Sequence, residues 1–398
     1  MGLDSRECTP ELVRAAIHVV AATRSYQQAA DLIGRVLGPS LSSKSIERLT
    51  NQVGSELAEV LKAEVLKTER GARQVVVPEV AVVSCDGGRI HTRAPGHGPG
   101  VHDACWRETK NALFERMAAP PGDADDPCPQ LPDTFRQVAH VAKIAETAAF
   151  AADSPPLRQV RYAGPQRILR TCLSSLVSSA EFGEQMQREA QRRRFHEAPV
   201  QVFLGDGLPW NWSIQREHFP TFTPILDFIH AVQYLHAAAQ AWETTDQRRW
   251  KRYLELAELV WQGRTGEVVE QLHEELTARG LNANETLADP SPHAPLVTAA
   301  RYLNNNRQRM DYPRYRRQGM PITSAPMESL IKQINHRVKG TEMTWNAPRA
   351  ADTAQPAGAE AILQVRSASL CEDDRLDDYL RHRPGHPLTR RPRLTTAA

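Results

Sequence analysis

Val82-Val83-Ser84-Cys85-Asp86-Gly87-Gly88 is the stretch that decides the fold. It closes a run, beginning near residue 75, in which the residue pattern has the period of two that a β-strand shows. The pattern predicts that the strand ends at Asp86 and that Asp86-Gly87-Gly88 turns the chain into a second strand over 89–93. A carboxylate would then stand at the edge of a buried sheet.

Two further acidic residues occupy comparable positions. Asp206 ends the apolar run Val202-Phe203-Leu204-Gly205, and Glu328 opens an amphipathic helix. Asp-Gly dipeptides are also ordinary turns, and either one taken alone is better explained that way. Their occurrence together with Glu328 favours one shared site, because carboxylate oxygens are hard ligands of the kind that Mg²⁺ prefers. Such a site suits phosphodiester chemistry with two bound metal ions.

The central region as a whole predicts an α/β fold. A third strand is expected within 106–114 and further strands over 201–206 and 223–227, with helical segments near 134–150 and 165–195. Because several strands precede the first of these helices, the early strands should be antiparallel and the later ones parallel. Only helical periodicity follows from about 230 to 317, which predicts an all-α insertion ahead of Glu328.

The first 70 residues predict helices. Ser25 and Gln28 have capping-box spacing, and Ser42 or Ser43 can cap a third helix that exposes Lys44 and Arg48 near its start. A helix, a turn and a second helix with basic residues at its front is the layout that docks in a DNA major groove. A plain helical hairpin explains the pattern equally well, so both interpretations stay open.

Basic residues are concentrated around the predicted acidic site. The candidates for phosphate contact are Arg314, Arg316 and Arg317 ahead of Glu328, and Lys332, Asn335 and Lys339 on one face of the helix that it opens. A polyphosphate substrate would require such charge, and a neutral metabolite would not. The alternative is a set of solvated helix faces, with Glu328 and Lys332 forming an ordinary i,i+4 pair.

Composition narrows the function classes. The chain has 398 residues and 49 basic against 47 acidic side chains, a net charge of +2 that by itself indicates no partner. We expect no membrane span, because the longest apolar stretches are too short, and a cytoplasmic location, because no signal-peptide region is visible. Six scattered cysteines without a Cys-x-x-Cys pair argue against a zinc finger and a disulfide framework. The chain has no glycine-rich phosphate loop, so ATP use is not supported.

Several motifs together resemble a known family, the DDE transposases of bacterial insertion sequences, particularly the ISKra group. The motifs are the Asp-Gly at 86–87, the Gly-Asp-Gly at 205–207 with Trp210 and Trp212 behind it, Asp227-Phe228-Ile229-His230, and Pro321-Ile322-Thr323-Ser324 leading to Glu328-Ser329-Leu330-Ile331-Lys332-Gln333. The resemblance spans about 75 to 380 and extends weakly to the N-terminal helices.

The resemblance implies a ribonuclease-H-like core, interrupted by a helical insertion before the catalytic glutamate. It implies three metal ligands, Asp86, Asp206 and Glu328, with His230 in a supporting catalytic role. The cofactor would be two Mg²⁺ ions, for which Mn²⁺ may substitute, and the partner would be DNA, both the terminal inverted repeats and the target. Trp210 could stack a base. Joining two transposon ends makes a dimer or larger homo-oligomer the expected assembly, located at the nucleoid.

The predicted domain layout has five parts. They are an N-terminal helical DNA-binding domain (1–72), the first part of the catalytic core (73–230), the all-α insertion (231–317), the completion of the core with the Glu328 helix (318–380) and a basic flexible tail (381–398). Two other functions stay open: a metal-dependent nuclease that cuts without joining, and a catalytically retired transposase that only binds DNA. Residues 118–133 and 347–357 look like insertions relative to the family.

Overall fold

A computed structural model of the chain describes residues 8–62, 76–93, 104–120, 125–285, 291–340, 343–345 and 358–383. The five strands are β1 (Val80–Arg93), β2 (Ala104–Ala118), β3 (Gln166–Ser175), β4 (Val200–Gly205) and β5 (Thr223–Leu226). The helices before β4 are α1 (Pro10–Ala22), α2 (Tyr26–Leu37), α3 (Ser43–Lys62), α4 (Val138–Ile144) and α5 (Ser179–Arg192). Those after β4 are α6 (Pro209–His218), α7 (Phe228–Trp242), α8 (Asp246–Trp261), α9 (Thr265–Ala278), α10 (Ala294–Asn306), α11 (Tyr312–Arg317), α12 (Ala325–Val338), α13 (Gly358–Leu370) and α14 (Arg375–His382).

The strands form one mixed sheet in the order β3-β2-β1-β4-β5. Strands β1, β2 and β3 pair antiparallel, and β4 and β5 continue the sheet in parallel to β1. The expected division into early antiparallel and later parallel strands is confirmed, and so is the mixed α/β class. Helices cover the sheet on both faces.

The predicted turn at Asp86-Gly87-Gly88 is wrong. Strand β1 continues through these residues, and its pairing with β2 runs without a break from Val80 opposite Met117 to Arg93 opposite Ala104. Gly88 allows β1 to lie close to β2 and does not form a turn. A Cβ atom there would lie 2.5 Å from the hydroxyl oxygen of Thr109. The lack of a side chain at Gly88 therefore lets β1 stay close to β2 at this point.

The helix predicted over 165–195 is also partly wrong. Its first half is the edge strand β3, and only the second half is helical, as α5. Ile168, Leu169, Cys172 and Leu173 recur at a spacing that also fits a helical stripe, so periodicity alone could not separate the two. The antiparallel pairing with β2 shows that this segment is a strand. Of the segment predicted near 134–150, only α4 and a short 3₁₀ turn are helical.

Two hydrophobic clusters lie on opposite faces of the sheet. Neighbouring residues of β2 point into different clusters, Phe114 into the one formed with α5 to α11 and Leu113 into the one formed with α1 to α3 and α12 to α14. Helix α3 packs so closely on α13 that a Cβ atom at Gly54 would lie 2.3 Å from the carbonyl oxygen of Ala361. The N-terminal helices thus share a core with the C-terminal helices and one face of the sheet.

The described residues between 231 and 317 contain helices and no strand, as expected for an all-α segment. The start of the predicted flexible tail differs from expectation, because 381 and 382 end α14 and Arg383 is buried with its guanidinium paired to Glu56 at 2.6 Å. The remainder of that tail, the whole 347–357 segment and residues 121–124 lie outside the described residues. Across the part of the chain that is described, no helix has the length and apolarity to cross a membrane.

Candidate active site

Asp86 and Asp206 lie side by side near the middle of the sheet. Parallel pairing of β1 with β4 ends where Cys85 faces Gly205, so the next residue on each chain is an aspartate. Beyond this point β1 continues without its parallel neighbour, which opens the sheet at the two carboxyl groups. The two side chains are close enough to share a hydrogen bond, which raises the pKa of Asp86 and opposes the rise in the pKa of Asp206. Pairing of two strands far apart in sequence thus creates a carboxyl pair.

Backbone and side-chain donors orient each member of this pair. The Gly87 amide donates to Asp86 Oδ1 at 2.6 Å, and the Leu208 amide donates to Asp206 Oδ1 at 2.9 Å. The buried Asn211 side chain also donates through Nδ2 to Asp206 Oδ1. Gly207, at a φ of 96°, makes the turn from β4 into α6 that places both donors. The Leu208 and Asn211 donors both reach the same oxygen of Asp206, Oδ1.

Burial raises the pKa values of both carboxyl groups of the pair. Burial, followed by the negative charge of Asp206, raises the pKa of Asp86 to about 7. Burial also raises the pKa of Asp206 above its usual range. Two carboxylates this close cannot both ionise cheaply unless a cation compensates them. The pair therefore favours a bound proton or a bound metal ion.

His230 is the nearest basic side chain that acts on the pair. It lies in the first turn of α7, its Nδ1 is 3.0 Å from Gln233 Oε1, and its Nε2 is 3.8 Å from Asp227 Oδ2. Burial lowers the pKa of His230, but the negative charges of Asp227, Asp206 and Asp86 together outweigh it and raise the pKa. The imidazole is thus biased towards its charged form beside the two aspartates.

Asp227 connects this site to the helix of Glu328. Its Oδ1 caps α7 by accepting from the Ile229 amide at 3.0 Å and also accepts from the Ser324 amide at 3.1 Å, while Ser324 Oγ donates to Oδ2. Asp227 is fully buried, and Ser324 is the residue that precedes α12. One carboxylate therefore ties together the start of the His230 helix and the start of the Glu328 helix.

Glu328 itself is not joined to the aspartate pair. Its side chain, 35% exposed, lies 3.8 Å from Lys332 Nζ. Within the described residues, no three histidine, cysteine, aspartate or glutamate side chains lie close enough together to hold one metal ion. The structure brings Asp86 and Asp206 together. Glu328, the third predicted ligand, lies apart from them in the first turn of α12, whose start is anchored at Asp227.

The donor chemistry nevertheless fits a hard divalent cation at the pair. Asp86 and Asp206 supply carboxylate oxygens, which Mg²⁺ and Mn²⁺ prefer. Asn211 adds an amide oxygen, Oδ1, that is buried without a hydrogen-bond partner next to Asp206. A cation would compensate the repulsion that burial imposes on the two carboxylates. These residues would hold the metal, and Glu328 is the further ligand expected from sequence.

The predicted DNA-contact residues have different surroundings. Lys44 and Arg48 are exposed on α3, although Lys44 pairs with Glu47 at 2.7 Å. Lys332 is 74% exposed, Asn335 is partly buried and Lys339 follows the end of α12 with its Nζ 5.6 Å from the Trp106 ring centroid. The surface role of these residues stays a prediction.

The prediction that Arg316 contacts DNA is wrong. Its side chain is fully buried, pairs with Asp126 and lies over the Trp261 ring at 4.2 Å, so it cannot contact DNA. The reason is that the segment around Asp126, within the expected insertion 118–133, packs against the core and supplies the carboxylate that pairs with Arg316. Arg314 and Arg317 on the same helix are exposed.

Trp210 is partly buried, with Lys110 Nζ 5.9 Å from its ring centroid.

Three residues of the site were missed as candidates from sequence. Asp227 and Asn211 position functional groups, and Tyr302 of α10 donates from its hydroxyl to the Asp206 carbonyl at 2.6 Å. Asp227 has a local signal, because an aspartate three residues before His230 is also a helix N-cap. Asn211 and Tyr302 have none, since their roles depend on which segments meet in space.

A scan against protein-family models and a search among curated proteins both give no match to this chain. The resemblance to DDE transposases rests on the residues quoted above and on nothing else.

Proposed function

We propose that this chain is a transposase of a bacterial insertion sequence, which cleaves DNA at transposon ends and joins those ends to target DNA. The observation that carries the proposal is the buried pair Asp86 and Asp206, aligned by the parallel pairing of β1 with β4. Among the described residues no lysine or arginine forms an ion pair with either carboxyl, and such a pair is suited to a divalent metal. Phosphodiester cleavage is the chemistry for which such sites are used.

The architecture supports a ribonuclease-H-like core. Three antiparallel strands are extended by two parallel ones, and a run of helices without strands among its described residues separates β5 from α12. This is the arrangement that the family resemblance implies, with the catalytic glutamate on the helix that follows the insertion. Glu328 stands in the first turn of that helix, which Asp227 and Ser324 anchor next to His230.

The roles of the protein groups follow from their contacts. Asp86 and Asp206 would hold the metal ions, and Glu328 is the further ligand expected from sequence. Two bound Mg²⁺ ions would supply an activated attacking oxygen and would stabilise the oxygen that leaves. Asn211 and the Leu208 amide fix Asp206 in one orientation. His230, biased towards its charged form, lies where it can contact a phosphate next to the pair.

A cleavage assay tests the proposal directly. The substrate is a labelled duplex carrying an end of the element, read from the DNA that flanks the gene, and the assay compares Mg²⁺ with EDTA. We expect the wild type to nick the end in Mg²⁺ and Asp206→Ala to lose cleavage by more than about 100-fold, beyond the usual effect of a residue outside the ligand shell. The exposed Asp153→Ala is the matched control, expected to cleave normally. Equal cleavage by Asp206→Ala and Asp153→Ala would refute the role of Asp206.

A second assay separates the transposase from the two alternative functions. Pre-cut ends are supplied together with a supercoiled target plasmid, and joined products are counted. A transposase gives joined product, a nuclease gives only cut DNA, and a retired DNA-binding protein gives neither while still shifting the labelled end in a gel. Glu328→Gln, compared with Glu372→Gln, shows whether the third predicted ligand is needed for either step.

A further inference from the structure

A cleft of about 700 Å³ opens beside the aspartate pair, on the side where Asp206 meets the all-α segment. It lies between α6 and α7 on one side and α10 with the following turn on the other. The residues that matter for the inference are Asp206, His230, Arg216, Arg309, Tyr234 and Tyr302. A cleft of this size is in the range of small-molecule and nucleotide sites.

Two arginines line the cleft, Arg216 and Arg309, and neither has an acidic partner among the described residues. Burial, and then the positive charge of Arg216, lowers the pKa of Arg309. Arg309 lies over the Trp212 ring at 4.4 Å and donates to Asn305 O at 3.3 Å, while Arg216 donates to Ser213 Oγ at 3.2 Å. Neither guanidinium forms an ion pair with a carboxylate of the described chain. Two cations placed together in this way favour an anion between them.

Aromatic rings also line the cleft. Tyr234 and Tyr302 stack with ring centroids 3.6 Å apart, and the Tyr302 hydroxyl reaches the carbonyl of Asp206. Leu208, 41% exposed, adds an apolar edge next to them. Positive charge and aromatic rings lining one cleft are the combination that binds single-stranded nucleic acid, through phosphates and stacked bases. The bases of an intact duplex are paired and stacked on each other, so they could not enter.

We propose that this cleft binds an unpaired stretch of the DNA strand that is cut, with a phosphodiester between Arg216 and Arg309 and a base against the tyrosines. The inference rests on the proposed function, because the cleft begins at Asp206. It adds that the substrate must be locally unpaired next to the scissile phosphate.

The test is a binding measurement that needs no catalysis. Fluorescence anisotropy of a short labelled oligothymidine is recorded with the full chain in EDTA over a range of salt concentrations. We expect the double variant Arg216→Gln/Arg309→Gln to bind about 10-fold more weakly than wild type and to lose about 1.4 from the salt slope, since each phosphate contact on a single strand contributes about 0.7. Arg248→Gln, on the exposed surface of α8, is the control that removes one positive charge outside the cleft, and it should match wild type.

Two results would overturn the inference. One is equal affinity of the double variant and Arg248→Gln for the single strand. The other is an equal loss of affinity for single strand and duplex, which would make the arginines a general electrostatic surface. Circular dichroism checks folding, and the exposed Arg216→Glu, which leaves Arg309 on Trp212, repeats the test if the double variant does not fold. Because no cleavage is measured, failure here leaves the Mg²⁺ cleavage assay unaffected, and failure of cleavage leaves this binding result intact.

Discussion

Two regions of this molecule bury carboxylates in opposite ways. Glu189 on α5 is fully buried and is surrounded by guanidinium groups, with Arg193 at 3.1 Å, Arg192 at 3.3 Å and Arg375 also in contact. Asp86 and Asp206 are buried against each other with a single histidine as a basic neighbour. Burial opposes ionisation in both places, but the arginines lower the pKa of Glu189 well below its usual range, whereas the pKa of Asp86 rises to about 7.

The difference separates a structural group from a functional one. The protein neutralises Glu189 by itself, and the resulting cluster ties α5 to the segment around Asp373 and Arg375 before α14. The aspartate pair has His230 beside it but no arginine or lysine ion pair among the described residues, so a proton or a bound cation would compensate its charge. A perturbed carboxylate without built-in compensation therefore marks the site more clearly than burial does.

Replacing Glu189 should have the largest effect. Glu189→Gln keeps the shape and removes the charge, which leaves Arg375 and Arg193 with only Asp373, so the free energy of unfolding should fall by about 3 kcal/mol. Because the folded-state pKa of Glu189 is lowered, its contribution is present above the unfolded value near 4.5 and is lost as pH falls. Urea unfolding of wild type and variant at pH 7 and pH 3 measures both. A difference that does not shrink at pH 3 would contradict the charge argument.

Asn211→Ala tests whether the Asn211 amide is needed to hold Asp206 in position. The variant removes the amide that orients Asp206, so cleavage in Mg²⁺ should fall about 10–100-fold. A higher Mg²⁺ concentration should restore part of the activity, because the ligand is misplaced and not lost. Asn304→Ala, at an exposed position, provides the control. Unchanged cleavage and unchanged Mg²⁺ dependence would show that Asn211 has only a packing role.

Asp86→Asn should increase stability while abolishing activity, the reverse of what Glu189→Gln does. It removes the repulsion between two buried carboxyl groups, and we expect a gain of about 1–2 kcal/mol in the free energy of unfolding at pH 8 in EDTA. Thermal or urea unfolding measures the gain. Saturating Mg²⁺ should stabilise the wild type and leave the variant unchanged. A less stable Asp86→Asn protein would break the comparison between the two regions.

Glu115 gives the smallest and most specific test, since it lies between the two cases. It is buried in β2, its Oε1 has no hydrogen-bond partner, and burial raises its pKa to about 7 although Arg167 and Arg170 act against this. The folded-state pKa is raised, so wild-type stability is fully present below pH 4.5 and declines as pH rises through 7. Glu115→Gln should therefore be about 1 kcal/mol more stable than wild type at pH 8.5 and equal to it at pH 4. If the free energies of unfolding of wild type and variant differed by the same amount from pH 4 to pH 8.5, the raised pKa of Glu115 would be contradicted.

Local patterns predicted much of the secondary structure because they depend on neighbouring residues alone. The helices of the first 62 residues, the strands that lead to Asp206 and Asp227, and the helix of Glu328 follow from periodicity and capping residues. The same reasoning failed at Gly87-Gly88 and at β3. Glycines permit a turn without requiring one, and a strand at the sheet edge can carry apolar residues at helical spacing.

The sequence by itself determined which carboxylates, histidines and arginines this protein has and which of them follow a strand or open a helix. Only the tertiary structure decided that Asp86 and Asp206 meet, that Glu189 is enclosed by arginines, that Arg316 is buried and that Arg216 and Arg309 face an open cleft. The physical reason is that desolvation and charge compensation depend on groups far apart along the chain. Whether a charged side chain is structural or functional is therefore set by the fold.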